Sequence, residues 1–221
     1  KEMLVGFYVL GPKNSDFSIP AVQITDSSYV MHSEELLYRN AYDVFLKPLK
    51  SKPFYLVHSE GELQNGISKN IDLRRIVIDV DEGITYSVNT QYAGNTVGLK
   101  KLALRLGIKR GLEEGWLMEH MLLVGINNGN RRSYFTGAYP SLCGKTSTAM
   151  MQGESLVGDD IAMLKNVNGE VRAVNTDRGV FGVIDGINNK DDPIIWQVLH
   201  EKSEVIYSNV LITPENDVRW N

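Results

Sequence analysis

The stretch Tyr139-Pro140-Ser141-Leu142-Cys143-Gly144-Lys145-Thr146-Ser147 constrains this chain more than any other. Its Gly144-Lys145-Thr146 triplet carries the chemistry of a phosphate-binding loop. A glycine lets backbone N–H groups close around phosphate oxygens, a lysine neutralises them, and a threonine hydroxyl ligates Mg²⁺. The common pattern is G-x-x-x-x-G-K-[ST], and Tyr139 stands where its first glycine belongs. That departure points away from the large NTPase class and towards a smaller family. The chemistry also demands an architecture: a strand must feed the loop and a helix must leave it, so that free N–H groups converge on one spot. The expected fold class is therefore α/β.

The chain has 221 residues, enough for one large domain or two modest ones, and 43% are apolar, so a core can be buried. A net charge of −4, with no basic stripe of interleaved aromatics, argues against a nucleic-acid partner. Apolar runs such as Met121-Leu122-Leu123-Val124 are too short to span a bilayer, and no signal peptide is visible, so no membrane partner is expected. The lone Cys143 excludes an intrachain disulfide framework and fits a reducing, cytoplasmic setting. Lys1 at the start and Trp220-Asn221 at the end suggest a piece of a longer protein. Oligomeric state is not encoded in any visible pattern.

Leu4 to Leu10, Phe54 to His58 and the β-branched run Arg75 to Val80 read as strands, and Ser33 to Arg39 as a short helix. Gly94-Asn95-Thr96 breaks the chain, and Leu99 to Glu114 then reads as a helix with Leu99, Leu102, Leu106 and Ile108 at helical spacing. Gly107 and Gly111 lower its propensity but permit close packing against a neighbour. His120 to Ile126 and Arg132 to Thr136 form a hairpin about Asn127-Asn128-Gly129-Asn130. Thr146 to Met151 opens a short helix; Ile161 to Leu164 and Val171 to Val174 flank the turn Asn168-Gly169; Val205 to Ile212 adds a strand. No internal repeat is present. A boundary near residues 115 to 120 divides an N-terminal region, 1–118, from a nucleotide-binding region, 119–221.

Three further groups carry chemistry. Asp159-Asp160 closes an apolar run, as in acidic metal motifs where one carboxylate holds a divalent ion and the other orients water or a ligand. His120 begins the strand that leads through the hairpin to the loop, which could bring its imidazole near Asp160; a histidine at a strand edge is also commonly structural. His32, His58 and His200 have no chemical neighbours in sequence. Lys100-Lys101 stand at the expected helix start, where cations oppose the helix dipole; either anions lie nearby or the pair is simply solvated. Cys143, beside Lys145 and a helix start, favours its thiolate, yet no base is adjacent to make it a nucleophile.

These segments together resemble the GTP-dependent class of phosphoenolpyruvate carboxykinase. The resembling blocks are Ile24 to Val30, Tyr92-Ala93-Gly94-Asn95 running to Lys100-Lys101, and Glu114 to Met121. They continue with Pro140 to Thr146 and Ala149-Met150-Met151, Val157 to Ala162, Arg172 to Asn175, and Gly179 to Val183. The likeness runs from about Thr25 onward and is densest between Tyr92 and Gly182. The P-S-x-C-G-K-T loop is specific to the GTP class; ATP-dependent relatives carry a glycine-rich version.

The resemblance implies a mixed-sheet N-terminal region followed by a P-loop mononucleotide-binding region of the carboxykinase type. It implies that the nucleotide phosphates bind at Ser141, Leu142, Cys143, Gly144, Lys145, Thr146 and Ser147, with Thr146 on the nucleotide's Mg²⁺. His120 and Asp160, with one of Lys100 and Lys101, would ligate a catalytic Mn²⁺; counting from Tyr92 favours Lys101 and counting back from His120 favours Lys100. The other lysine would contact the transferring phosphoryl group, so that Lys100, Lys101, Cys143 and Lys145 make the catalytic set. Tyr92, Gly94, Asn95 and Ser141 would face oxaloacetate or phosphoenolpyruvate. GTP and GDP would be the nucleotide partners. Two positions depart from the family: Ser147 stands for the usual asparagine and Leu142 for the usual alanine. The family is longer than this chain, and its carboxylate-binding arginines and guanine-clasping aromatics have no counterpart here. The alternatives are an HPr-kinase-like enzyme with a related loop, and a non-catalytic fragment that binds only nucleotide or metal.

Overall fold

The computed structural model describes residues 2–91, 93–140, 143–208, 210–215 and 218–219, with the side chains of 93–99 outside the description. Tyr92, Ser141 and Leu142 therefore lie outside the described residues, as do the side chains at Gly94 and Asn95.

The N-terminal region is built on a six-stranded sheet. Its strands are β1 (Leu4–Leu10), β2 (Ile19–Thr25), β3 (Arg39–Asn40), β4 (Phe54–Ser59), β7 (Arg75–Asp79) and β8 (Ile84–Val88), in the order β3-β1-β2-β4-β8-β7. Two pairings, β2 with β4 and β4 with β8, are parallel; the others are antiparallel. The mixed sheet expected from the sequence is thus present. A small hairpin of β5 (Leu63–Gln64) and β6 (Ile67–Ser68) and a single 3₁₀ turn, Ile71–Leu73, fill the connection into β7. Helix α1 (Ser28–Leu37) starts earlier than the sequence suggested, because Ser27 caps it by accepting a hydrogen bond from the Val30 N–H. A short α2 (Tyr42–Phe45) follows β3.

Helix α3 (Ala93–Glu114) crosses from this sheet to the second half of the chain. It runs through Gly94-Asn95-Thr96 instead of breaking there, so Lys100 and Lys101 sit inside the helix and not at its start. Its two later glycines are contact points. A Cβ at Gly107 would lie 2.0 Å from the Met118 sulfur, and one at Gly111 would lie 2.5 Å from the Trp116 carbonyl oxygen.

Two three-stranded sheets follow. One contains β10 (Met121–Asn128), β11 (Arg131–Ala138) and β12 (Ser155–Gly158), with β10 central; the other contains β9 (Leu117–Glu119), β13 (Ala162–Val167) and β14 (Glu170–Asn175), with β13 central. The β13–β14 hairpin turns on Asn168-Gly169, both at positive φ (55° and 86°), as a two-residue turn of matching twist requires. Helix α4 (Lys145–Ala149) packs Ala149 on Leu122 and Val124. Helix α5 (Pro193–His200), which begins on a proline as helices tolerate, was not anticipated. The expected strand from Val205 shrinks to β15 (Leu211–Ile212), paired with β16 (Val218–Arg219); residues 205 to 208 have no strand partner among the described residues.

One buried cluster joins both halves. Tyr8, Leu10, Phe17, Leu37 and Met118 from the first pack with Ile161 and Met163 from the second.

Candidate functional site

The site is made where two chain segments change sheets together. At His120 the chain leaves β9 for β10, and at Asp159-Asp160-Ile161 it leaves β12 for β13. Because β10 pairs with β12 (Leu123 opposite Gly158) and β13 with β9 (Ala162 opposite Glu119), the two crossovers lie side by side. Lys101 reaches this junction from α3, and Lys145 from the first position of α4.

The result is a tight convergence. Lys101 Nζ lies 2.7 Å from His120 Nε2 and 2.9 Å from Asp160 Oδ2. His120 Nε2 lies 2.5 Å from Asp160 Oδ1, and Lys145 Nζ lies 2.5 Å from that same oxygen while donating to the Asp159 carbonyl at 2.6 Å. A single imidazole nitrogen cannot donate to the carboxylate and accept from the amine at once. Three lone-pair donors aimed at one point suit a cation between them, and an octahedral ion with bonds of about 2.1 Å needs donors about 3 Å apart. Movements of a few tenths of an ångström satisfy that. Among the described residues no three His, Cys, Asp or Glu side chains gather for a metal; this donor set is completed by an amine.

The electrostatics agree with the donor set. Burial lowers the Lys101 pKa, helped by the charges of Lys100 and Lys145 and opposed by Asp160. Burial likewise lowers the His120 pKa against the pull of Asp160, so the neutral imidazole is favoured. Asp160 is held well below the usual carboxylate range: burial works against its charge, but Lys100, Lys145 and Lys101 outweigh it. A divalent ion binds amine and imidazole nitrogens in their neutral forms, and burial moves both Lys101 and His120 in that direction.

Lys100 is placed differently. Its side chain is 1% exposed, against 37% for Lys101, and its Nζ contacts Asp177 Oδ2 at 2.6 Å. Asp160 Oδ2 is 3.3 Å away and Asp159 Oδ1 3.9 Å. Burial works against its charge, but Asp177, Asp159 and Asp160 more than compensate, and its pKa is raised. The anions that the Lys100-Lys101 pair called for are thus present. Asp159 is pushed up by burial and by Asp177 and Asp160, with Lys100 opposing.

In the loop, Gly144 adopts the left-handed conformation (φ 84°), and the exposed Cys143 bonds its N–H to the Pro140 carbonyl at 3.3 Å. The five-residue α4 is too short for much dipole, so an anion here depends on local N–H groups and Lys145. Thr146 borders a cavity of ≈ 590 Å³, largely apolar, lined among others by Tyr29, Phe181 and Ile195. Lys101, His120 and Asp160 do not line that cavity; they meet at the sheet junction. Ser147 is exposed.

Sequence reading assigned nothing to Asp177, which falls between two of the blocks quoted above, nor to Glu34, a fully buried carboxyl of α1. The remaining histidines have structural partners: His58 joins Thr25 Oγ1 (2.6 Å) to the Thr90 carbonyl (2.9 Å), His32 meets Glu204, and His200 stacks on Trp196.

Comparison with known proteins gives two adjoining matches. Residues 1–112 match the phosphoenolpyruvate carboxykinase N-terminal domain, and residues 116–221 match the phosphoenolpyruvate carboxykinase C-terminal P-loop domain. Among curated relatives, a protein of Pyrococcus furiosus named phosphoenolpyruvate carboxykinase [GTP] is 59% identical over the whole chain, and one of Sulfurisphaera tokodaii with the same name is 54% identical. A namesake in Chlamydia muridarum is 36% identical over 96% of the chain. The chain spans 36% of the Pyrococcus furiosus protein's length. With a mixed α/β fold, a phosphate-loop lysine tied to the acidic pair, and family matches over both halves, the chain belongs to the phosphoenolpyruvate carboxykinase family.

Proposed function

We propose that this chain forms the metal- and phosphate-binding part of a GTP-dependent phosphoenolpyruvate carboxykinase, a cytoplasmic carboxy-lyase of gluconeogenesis. Residues 1–118 form its partial substrate-binding region and 119–221 its partial P-loop region. The observation that carries this reading is the convergence of Lys101, His120 and Asp160 beside Lys145.

In the reaction, the bond between oxaloacetate and the departing CO₂ breaks, and the enolate oxygen so formed attacks the γ-phosphoryl of GTP, giving phosphoenolpyruvate and GDP. Lys101, His120 and Asp160 would hold Mn²⁺. That ion would supply Lewis-acid polarisation of the oxaloacetate carbonyl. Lys145 swings between Asp160 and a phosphate oxygen, neutralising charge as the phosphoryl group transfers. Gly144 opens the turn so that following N–H groups face the phosphates, and Thr146 offers its hydroxyl to the nucleotide's Mg²⁺. Cys143 lends its backbone to that cradle. Lys100 keeps a fixed positive charge behind the site. The family resemblance assigns Tyr92, Gly94, Asn95 and Ser141 to the organic substrate, and Leu142 and Ser147 to the nucleotide phosphates.

A kinase sharing only the loop gives no account of the N-terminal match. The test is an assay of the full-length protein with oxaloacetate, Mn²⁺ and either GTP or ATP, following phosphoenolpyruvate. Product with GTP is expected. No product with either nucleotide refutes the activity, and product with ATP alone refutes the GTP assignment. The isolated chain, which spans 36% of the Pyrococcus furiosus relative, is expected to bind metal without turnover.

A further inference from the structure

We propose that Asp177 is a positioning residue: it anchors the Lys100 ammonium and thereby leaves Asp160 directed to the Lys101–His120 cluster. The proposal rests on the reading of that cluster as a metal site.

Adjacent lysines on a helix leave it about 100° apart, so the two side chains start in different directions. Here both nonetheless reach the same carboxylate. Asp160 Oδ2 lies 2.9 Å from Lys101 Nζ and 3.3 Å from Lys100 Nζ. An ammonium held against Asp160 competes with any cation for the same lone pairs. Asp177 supplies Lys100 with a nearer carboxylate, at 2.6 Å, and both side chains are 1% exposed, so no solvent shares the charge. The contact is a buried ion pair.

Asp177 is held rigidly enough for this. The Thr176 carbonyl before it accepts from Gly11 N–H (2.8 Å) and from the Arg39 guanidinium (2.9 Å). After it, the N–H groups of Arg178 and Gly179 both donate to the Leu37 carbonyl, at 2.8 and 3.1 Å. A Cβ at Gly179 would lie 2.5 Å from the Leu36 carbonyl oxygen, so the backbone approaches α1 as closely as only glycine permits. Asp177 is therefore fixed from β1, from the end of α1 and from β3, all in the N-terminal half, while the acid pair it relieves belongs to the P-loop half. Desolvation offsets most of the attraction in a buried ion pair, so such a pair contributes fixed geometry more than stability.

Binding of Mn²⁺ alone, without nucleotide, to the full-length protein tests the idea, with free Mn²⁺ measured by its paramagnetic resonance. Asp177→Asn is expected to raise the Mn²⁺ Kd at least tenfold. The double variant Lys100→Met/Asp177→Asn, which removes the competing ammonium as well, is expected to return to within threefold of the wild type. A folded Asp177→Asn protein whose Kd rises less than tenfold overturns the proposal, as does a double variant that stays more than threefold weaker. If Asp177→Asn fails to fold, the double variant decides by the same threefold limit. Wild-type protein that binds no Mn²⁺ overturns the site reading and the role of Asp177 with it. Wild-type binding that Asp160→Asn abolishes and Asp177→Asn spares overturns the role of Asp177 alone.

Discussion

Glu34 is fully buried on α1, and neither carboxylate oxygen has a hydrogen-bond partner among the described residues. Burial raises its pKa well above the ordinary value of 4.5, with only the Lys100 charge opposing. Tyr38, beside it, is pushed up by burial and by Glu34. The sign follows from linkage. Below about pH 4.5 the carboxyl is protonated in both folded and unfolded chains; above it the unfolded chain ionises first, so stability falls as pH rises towards the folded pKa. Glu34→Gln is expected to remove that loss, so that its stability relative to the wild type grows as pH rises from 4.5 to 8. Thermal melts of both proteins across pH check this; a gain independent of pH would contradict it. Gly144 offers a second test at this scale. Its φ of 84° costs an L-residue about 1–2 kcal/mol, although a Cβ there meets nothing within 4 Å. Gly144→Ala is therefore expected to weaken GTP binding at least tenfold, as calorimetry would measure, with a drop in Tm of only a few degrees. Neither Glu34 nor Asp177 was legible in the sequence, because neither an acid beside a second acid, as Glu34 is beside Glu35, nor one among polar neighbours, as Asp177 is, carries a mark of burial.

At the scale of elements, the local signals were largely readable. Asn168-Gly169 marked its hairpin because the turn demands positive φ, and the alternation about Gly129 marked the other. The start of α1 was misread because Asp26-Ser27-Ser28 looks like a turn until Ser27 is seen as a cap. Val205 to Ser208 read as a strand because β-branched residues suit one, yet a strand needs a partner and that segment borders the apolar cavity instead. The glycines of α3 were read as close-packing sites, and they are. Gly107 faces the movable Met118 side chain, whereas Gly111 faces the Trp116 backbone. Gly111→Ala is thus expected to cost about 1–3 kcal/mol and more than Gly107→Ala, because backbone yields less than a thioether. Since α3 carries Lys101, the Gly111 variant is also expected to bind Mn²⁺ more weakly. Equal denaturation midpoints for the two variants would refute this account.

For the whole molecule, the two matched halves share one core and several ties. Met163 approaches Gly11, Lys165 Nζ lies 5.4 Å from the Phe17 ring centre and donates to the Asp16 carbonyl, and Arg39 reaches the Thr176 carbonyl. Cutting between residues 118 and 119 would split the buried cluster and expose Tyr8, Leu37, Met118 and Ile161 at once. The chain is therefore expected to unfold in a single cooperative transition, and the separate pieces 1–118 and 119–221 are expected not to fold. Two resolved calorimetric transitions would count against a shared core. No described helix is long and apolar enough to cross a membrane.

The sequence alone determined the phosphate loop, the acidic pair and the two-residue hairpin turns, because each depends on local chemistry or on a backbone angle that few residues adopt; the candidate ligands came from the family resemblance. It left Lys100 and Lys101 equivalent. Only the tertiary structure separated them: the helix turns one towards Asp177 in a sealed interior and the other towards His120 and Asp160 at the sheet junction. The reason is physical. The two lysines have the same chemistry and nearly the same backbone, and what distinguishes them is the set of charges and the solvent that packing places around each.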